Sequence, residues 1–146
     1  MATPVYGKQY IRFAETGLAA DDAAAFSQFR VVAIDPTAGT EPPTLAYPTA
    51  DGEVFGVLQQ DIPALDEERA VTLPRLGTVA TSGLLLIENT GGSDFTNGDA
   101  LSLTNTDGSA DAGGSVTPSV NGTTPIVRQT VLIGGVKMVL LSLIHI

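Results

Sequence analysis

Cysteine and tryptophan are absent from this 146-residue chain, and histidine occurs once, as His145. Without cysteine there is no disulfide framework, no zinc ribbon and no thiol nucleophile. A Ser-His-Asp arrangement would rest on the penultimate residue, a poor place to hold catalytic geometry. Aromatic residues make up only 5% of the chain, which argues against a sugar-binding face built from stacked rings. Positive charge is scarce too: 7 Lys and Arg stand against 16 Asp and Glu, for a net charge of −9. Such a surface repels phosphate backbones and anionic membranes, so neither nucleic acid nor membrane is an expected partner. It favours solubility at high local concentration. The opening MATPVYGKQYIRF lacks the apolar centre of a signal peptide. The closing VLIGGVKMVLLSLIHI is apolar apart from Lys137, Ser142 and His145, but a glycine pair interrupts it. It also falls short of the ~20 residues a bilayer-spanning helix needs. Gly91-Gly92 and Gly113-Gly114 lack the Lys-Ser/Thr of a phosphate loop.

What the chain has is turns. Its 16 glycines and 9 prolines divide it into short segments. Residues 1–20 mix Tyr6, Tyr10, Ile11 and Phe13 with polar residues and show no sustained period, which reads as an extended arm. Residues 21–26 (DDAAAF) suit one short helix with acidic residues in its first turn. Residues 29–34 (FRVVAI) read as a strand closed by Asp35-Pro36. Pro42, Pro43 and Pro48 make residues 37–49 a loop or an edge.

After the Asp51-Gly52 turn, strands are expected at residues 53–58, 69–73 and 78–81, followed by a buried run at 83–87. Residues 89–98 and 105–124 are polar and turn-rich, separated by the alternating Leu101 and Leu103. Residues 127–133 and 136–140 form a hairpin across Gly134-Gly135. Many short strands with frequent turns and at most one short helix predict an all-β domain, a small β-barrel or β-sandwich with an extended N-terminal arm.

Polar clusters point to turns rather than to chemistry. Asp66, Glu67 and Glu68 read as a solvated loop. In GGSDFTNGDAL, Asp94, Asn97 and Asp99 offer three oxygen ligands for calcium, but without EF-hand spacing or a bidentate Glu. Asp and Asn before Gly are ordinary turn residues, and that reading is preferred. Asp107 and Asp111 are weaker candidates. Asn121-Gly122-Thr123 is a formal glycosylation acceptor, meaningful only in a secreted eukaryotic chain. No catalytic residue, cofactor or metal is expected, and the chain is not read as an enzyme.

The order of the segments resembles the capsid decoration, or cement, proteins of tailed bacteriophages. AAFSQFRVVAID leads into a strand, and Phe55-Gly56-Val57-Leu58 supplies a "GVL" element. The linker QQDIPALDEERA precedes Ala70-Val71-Thr72-Leu73 and Gly77-Thr78-Val79. Gly98-Asp99-Ala100-Leu101, then Asp107-Gly108, then Val136-Lys137-Met138-Val139-Leu140 complete the order, over residues 24–140. The resemblance implies a structural virion protein, made in the bacterial host cytoplasm, that binds the outer surface of the head. Its partner would be the major capsid protein and its state a homotrimer.

The division expected is an arm over 1–20 and a decoration domain over 21–140. Residues 141–146, LSLIHI, match the translated mosaic end of a common transposon-based sequencing adapter and are expected to be an artefact. Exposed apolar residues in the arm need a surface to cover them, so Val5, Tyr6, Tyr10, Ile11 and Phe13 are the expected capsid contacts. Another phage module, a head fibre base or a tail component, is the runner-up. A carbohydrate-binding β-sandwich comes third.

Overall fold

The computed structural model describes residues 9–19, 25–35, 42–63 and 75–143. Among them, strand is the only regular structure, and the all-β expectation holds. The strands are β1 (Tyr10–Ala19), β2 (Val31–Ile34), β3 (Thr44–Ala46), β4 (Gly52–Glu53), β5 (Gly56–Leu58), β6 (Leu76–Glu88), β7 (Pro118–Ser119), β8 (Val127–Ile133) and β9 (Val136–Leu143).

β6 is the spine. Leu84 pairs with Tyr10 of β1 and with Ser142 of β9, so β1 and β9 flank its opposite edges. β5 shares the edge used by β9, at Val79 and Ala80. β5 pairs antiparallel with β2, β2 antiparallel with β3, and β3 parallel with β1. The pairings β1, β6, β5, β2, β3 therefore return to β1. Ala19, Val32, Leu45, Leu58 and Val79, one from each strand of this ring, form a buried cluster with Phe26, Phe55 and Ile62. Tyr47 lies against Phe26, ring centroids 4.8 Å apart, and its hydroxyl accepts from the Ser27 amide at 2.8 Å.

A second, larger core lies on one face of β6, β9 and β8. Leu85, Ile87, Val127, Val139, Leu141 and Leu143 pack there against Phe95, Leu101, Leu103, Ala110, Val116 and Val120. The expected polar loop over 105–124 thus supplies part of a covering layer. Its few apolar residues all point inward, and bridges such as Leu103 with Val116 and Asn89 with Ala110 fix it in place. β4 and β7 join parallel at its margin. On the opposite face, Leu86, Met138 and Leu140 are buried with half-buried Leu84, Val131 and Ile133 and with Phe29.

Several expectations shift. Residues 10–19 of the expected arm form a long strand integral to the sheet. The strand expected at 78–81 and the run at 83–87 are one strand, β6, which passes straight through Gly83. The segment read as loop or edge contains β3, paired on both sides, because its prolines flank the strand rather than interrupt it. The strand expected over 53–58 is split into β4 and β5. β9 runs past residue 140: Leu141 and Leu143 are core residues, whereas residues 144–146 lie outside the described set. The hairpin at Gly134-Gly135 is as expected, with φ of 57° and 83°. The helix expected over 21–26 and the strand at 69–73 fall mainly or wholly outside the described residues. Phe26, which is described, makes an antiparallel bridge to Ile62.

Candidate docking surface

β1 begins at an anchor. The Gln9 side chain accepts from the Leu86 amide at 3.1 Å and donates to the Gln59 side chain at 2.8 Å. The strand then runs along β6 with two irregularities, one between Ile11 and Phe13 and one between Phe13 and Ala14. Bulges of this kind re-aim side chains. Gly83 makes the close crossing possible. Its φ is +133°, and an added Cβ would lie 2.0 Å from the Tyr10 carbonyl oxygen.

The outcome is unusual for a paired strand: all seven residues from Tyr10 to Thr16 are exposed. Tyr10 is 66% exposed, Ile11 42% and Phe13 58%. Residues directly opposite in an antiparallel pair share a face. Tyr10 therefore stands beside Leu84, and Phe13 beside Ser82, on the face that carries Leu86. Ile11 stands on the other face, opposite Gly83 and in line with Leu143 beyond it. The Arg12 guanidinium lies 5.7 Å from the centre of the Phe13 ring. Three of the five residues expected to make contact thus lie exposed on β1, Tyr10 and Phe13 on one face and Ile11 on the other, while Val5 and Tyr6 lie outside the described residues.

The acidic side chains serve mainly as internal fasteners. Asp51 accepts from the Thr117 amide at 2.7 Å. Glu53 accepts from the amides of Asn121 and Gly122 at 2.9 and 2.7 Å, and so holds the Asn121-Gly122 turn, whose φ angles are 54° and 80°. Asp99 accepts from the Thr96 amide at 2.8 Å, Asp111 from the Gly113 amide at 2.9 Å, and Asp94 pairs with Lys137 at 3.0 Å. These are turn and surface roles. Among the described residues, no group of three or more His, Cys, Asp or Glu is placed to hold a metal ion. Asp66, Glu67 and Glu68 lie outside the described set.

Among the described residues, the most extended polar network centres on Asp107. Arg30, largely buried, reaches Asp107 at 2.9 Å and Glu88 at 3.4 Å. Asp107 also accepts from the hydroxyls of Thr104 at 2.8 Å and Ser109 at 2.6 Å and from the Ser109 amide at 3.1 Å. Burial alone would raise its pKa. The bonds from Ser109 and Thr104, together with the Arg30 charge, outweigh burial and hold it below the ordinary 3.8. Gly108, at φ +70°, lets the loop meet β2: its carbonyl accepts from the Val31 amide at 2.9 Å, and a Cβ would strike the Val31 oxygen. The network ties loop 104–109 to β2 and β6 and contributes no reactive group to an open site.

An open apolar cleft of about 670 Å³ lies at the start of β8, lined by Val120, Pro125, Ile126, Val127 and Leu143, with Arg128 and Ser142 among its polar members. Sequence reading missed it, because its walls come from a turn, a strand start and the end of β9. No helix among the described residues is long and apolar enough to cross a membrane. No family model matches the chain, and neither a curated protein nor a solved structure matches it.

Proposed function

We propose that this chain is a structural virion protein that binds the outside of a tailed-phage head and stabilises it. The observation that carries the proposal is β1, with seven consecutive exposed residues and three large apolar side chains within four positions. A free monomer gains nothing from displaying Tyr10, Ile11 and Phe13 on a strand so firmly anchored. A partner surface that covers them does gain. The order of sequence elements supplies the identity of that partner, the major capsid protein. A stable contact requires about 800 Å² on each side, within reach of β1 and its surroundings. On a symmetric shell the contact repeats at every site, so modest affinity suffices, and the acidic exterior limits clumping of decorated heads.

The test is co-sedimentation of the purified chain with empty heads assembled from the accompanying major capsid protein. Saturable binding at a fixed ratio to the capsid subunit, in multiples of three per site, is the expected result. Failure to bind well-formed mature heads would redirect the assignment to a fibre base or tail component.

A further inference from the structure

An asparagine side-chain amide is open to attack by the backbone nitrogen of the next residue, and a following glycine has no side chain to block the approach. Asn97 and Asn121 are the two asparagines of this chain that precede glycine. Both pairs lie in exposed turns, where water reaches them. The two turns hold the attacking nitrogen differently. The Gly98 amide donates to the Val127 carbonyl at 2.8 Å, a neutral acceptor. The Gly122 amide donates to the Glu53 carboxylate at 2.7 Å, and the other oxygen of that carboxylate accepts from the Asn121 amide at 2.9 Å.

Glu53 belongs to β4, whose parallel partner β7 leads directly into the turn. Val120 and Thr123 close the turn by exchanging bonds of 2.9 and 3.1 Å, and Val120 is rooted in the larger core. To reach the Cγ atom of Asn121, the Gly122 nitrogen must give up the hydrogen that Glu53 holds and swing away from it. The carboxylate opposes both movements. A bond to a charged acceptor is the stronger kind, so it pins the N–H in place. Its charge also repels the negative charge that develops on the nitrogen as the proton leaves. A carboxylate is too weak a base to carry that proton off itself.

We infer that Asn121 is a site of spontaneous deamidation and that Glu53 guards it, setting how fast the change accumulates. The Gly122 nitrogen, its proton lost to solvent, bonds to Cγ of Asn121. The bond from Cγ to the side-chain nitrogen breaks, and that nitrogen leaves as ammonia with the proton returned from solvent. Water then opens the resulting succinimide. Cleavage between Cγ and the Gly122 nitrogen gives aspartate, and cleavage at the main-chain carbonyl gives isoaspartate. The net change is water in and ammonia out, with nothing oxidised or reduced. Either product sets a second carboxylate beside Glu53. Isoaspartate also adds one carbon to the backbone between the two amides that Glu53 now holds together, so the fastening of β4 to the turn weakens. The site does not depend on the virion reading.

The test is peptide mapping by mass spectrometry after the full chain has been aged at mildly alkaline pH in heavy-oxygen water. Asn97 serves as the internal reference and the urea-unfolded chain as the unprotected one. Unfolded, the two asparagines are expected to convert at similar rates. Folded, Asn121 is expected to convert about tenfold more slowly or less, yielding aspartate and isoaspartate that each carry one heavy oxygen. Glu53→Gln removes the charge and is expected to speed conversion of Asn121 about tenfold while leaving Asn97 unchanged. Glu53→Asp, which keeps the charge on a shorter arm, is expected to fall between. No conversion of Asn121 in any folded form would overturn the site. Equal rates with and without the Glu53 charge would assign the protection to the hairpin and overturn the guard, and slower conversion in Glu53→Gln would make Glu53 a helper instead. Equal acceleration of Asn97 in both variants would trace the effect to global unfolding and overturn a local role.

Discussion

At the scale of single residues, two positions carry specific expectations. Asp107 holds its proton less tightly folded than unfolded, so its contribution to stability is complete above the ordinary value of 3.8 and is lost as pH falls below it. Urea unfolding of the native chain should therefore show a falling midpoint below about pH 4, and Asp107→Asn should flatten that limb. At neutral pH the same substitution should cost about 1–2 kcal/mol, the scale of the hydrogen bonds lost from a partly exposed carboxylate. Gly83 is the second position. Gly83→Ala places a methyl group on the Tyr10 carbonyl and should reduce stability by about 3 kcal/mol or more, read as a fall in melting temperature. Gly52→Ala is the control: its φ is also positive, +144°, but a Cβ there meets nothing within 4 Å. It should cost about 1 kcal/mol.

At the scale of elements, the hairpin was legible because Gly134-Gly135 between two alternating runs has few other readings. Both glycines have positive φ. Gly134→Asn should be nearly neutral, and Gly135→Val should cost about 1–2 kcal/mol in unfolding experiments. β6 was harder to read. A glycine inside an apolar run signals a break when the chain is read alone, and only the crossing of Tyr10 over Gly83 shows why it is there. β1 escaped for a related reason: two bulges destroy its alternation, and over Tyr10–Thr16, where neither face is packed, no hydrophobic period was available to find. β3 was hidden by its flanking prolines. The covering layer over 95–120 was hidden because Phe95, Leu101, Leu103, Val116 and Val120 are spread through polar turns and become a cluster only in three dimensions. The candidate surface was half legible. Exposed apolar residues near the start of the chain stood out as needing a cover, whereas the strand that presents them and the cleft at β8 depend on pairing between distant segments.

At the scale of the whole molecule, the ring ties the strand proposed for docking to the folding of the domain. Gly17 packs under Leu45, and Ala19 sits in the ring's core, so removing residues 1–20 would remove a wall as well as a surface. The truncated chain is expected to lose its cooperative transition, and that deletion therefore cannot by itself report on docking. Tyr10→Ser with Phe13→Ser separates the two roles. Both side chains project into solvent, so each change should alter stability by about 0.5 kcal/mol or less. On the virion reading, the double variant should pellet with heads much more weakly while its thermal unfolding stays nearly native. Strong retained binding by that folded variant would exclude β1 as the contact.

The closing pairs of the ring carry a further consequence, in time rather than space. β1 is complete early in the chain, but its partner β6 begins only at Leu76, and the parallel joint to β3 at Thr44 cannot close the ring without β6. During synthesis, Tyr10, Ile11 and Phe13 therefore lie on an unpaired strand until the middle of the chain has emerged. Contacts between segments so far apart fold slowly. The strand proposed as a docking surface is thus most hazardous while the molecule is being made, and slower translation or crowding of nascent chains should divert more of this protein into aggregates than loss of any single core contact would suggest.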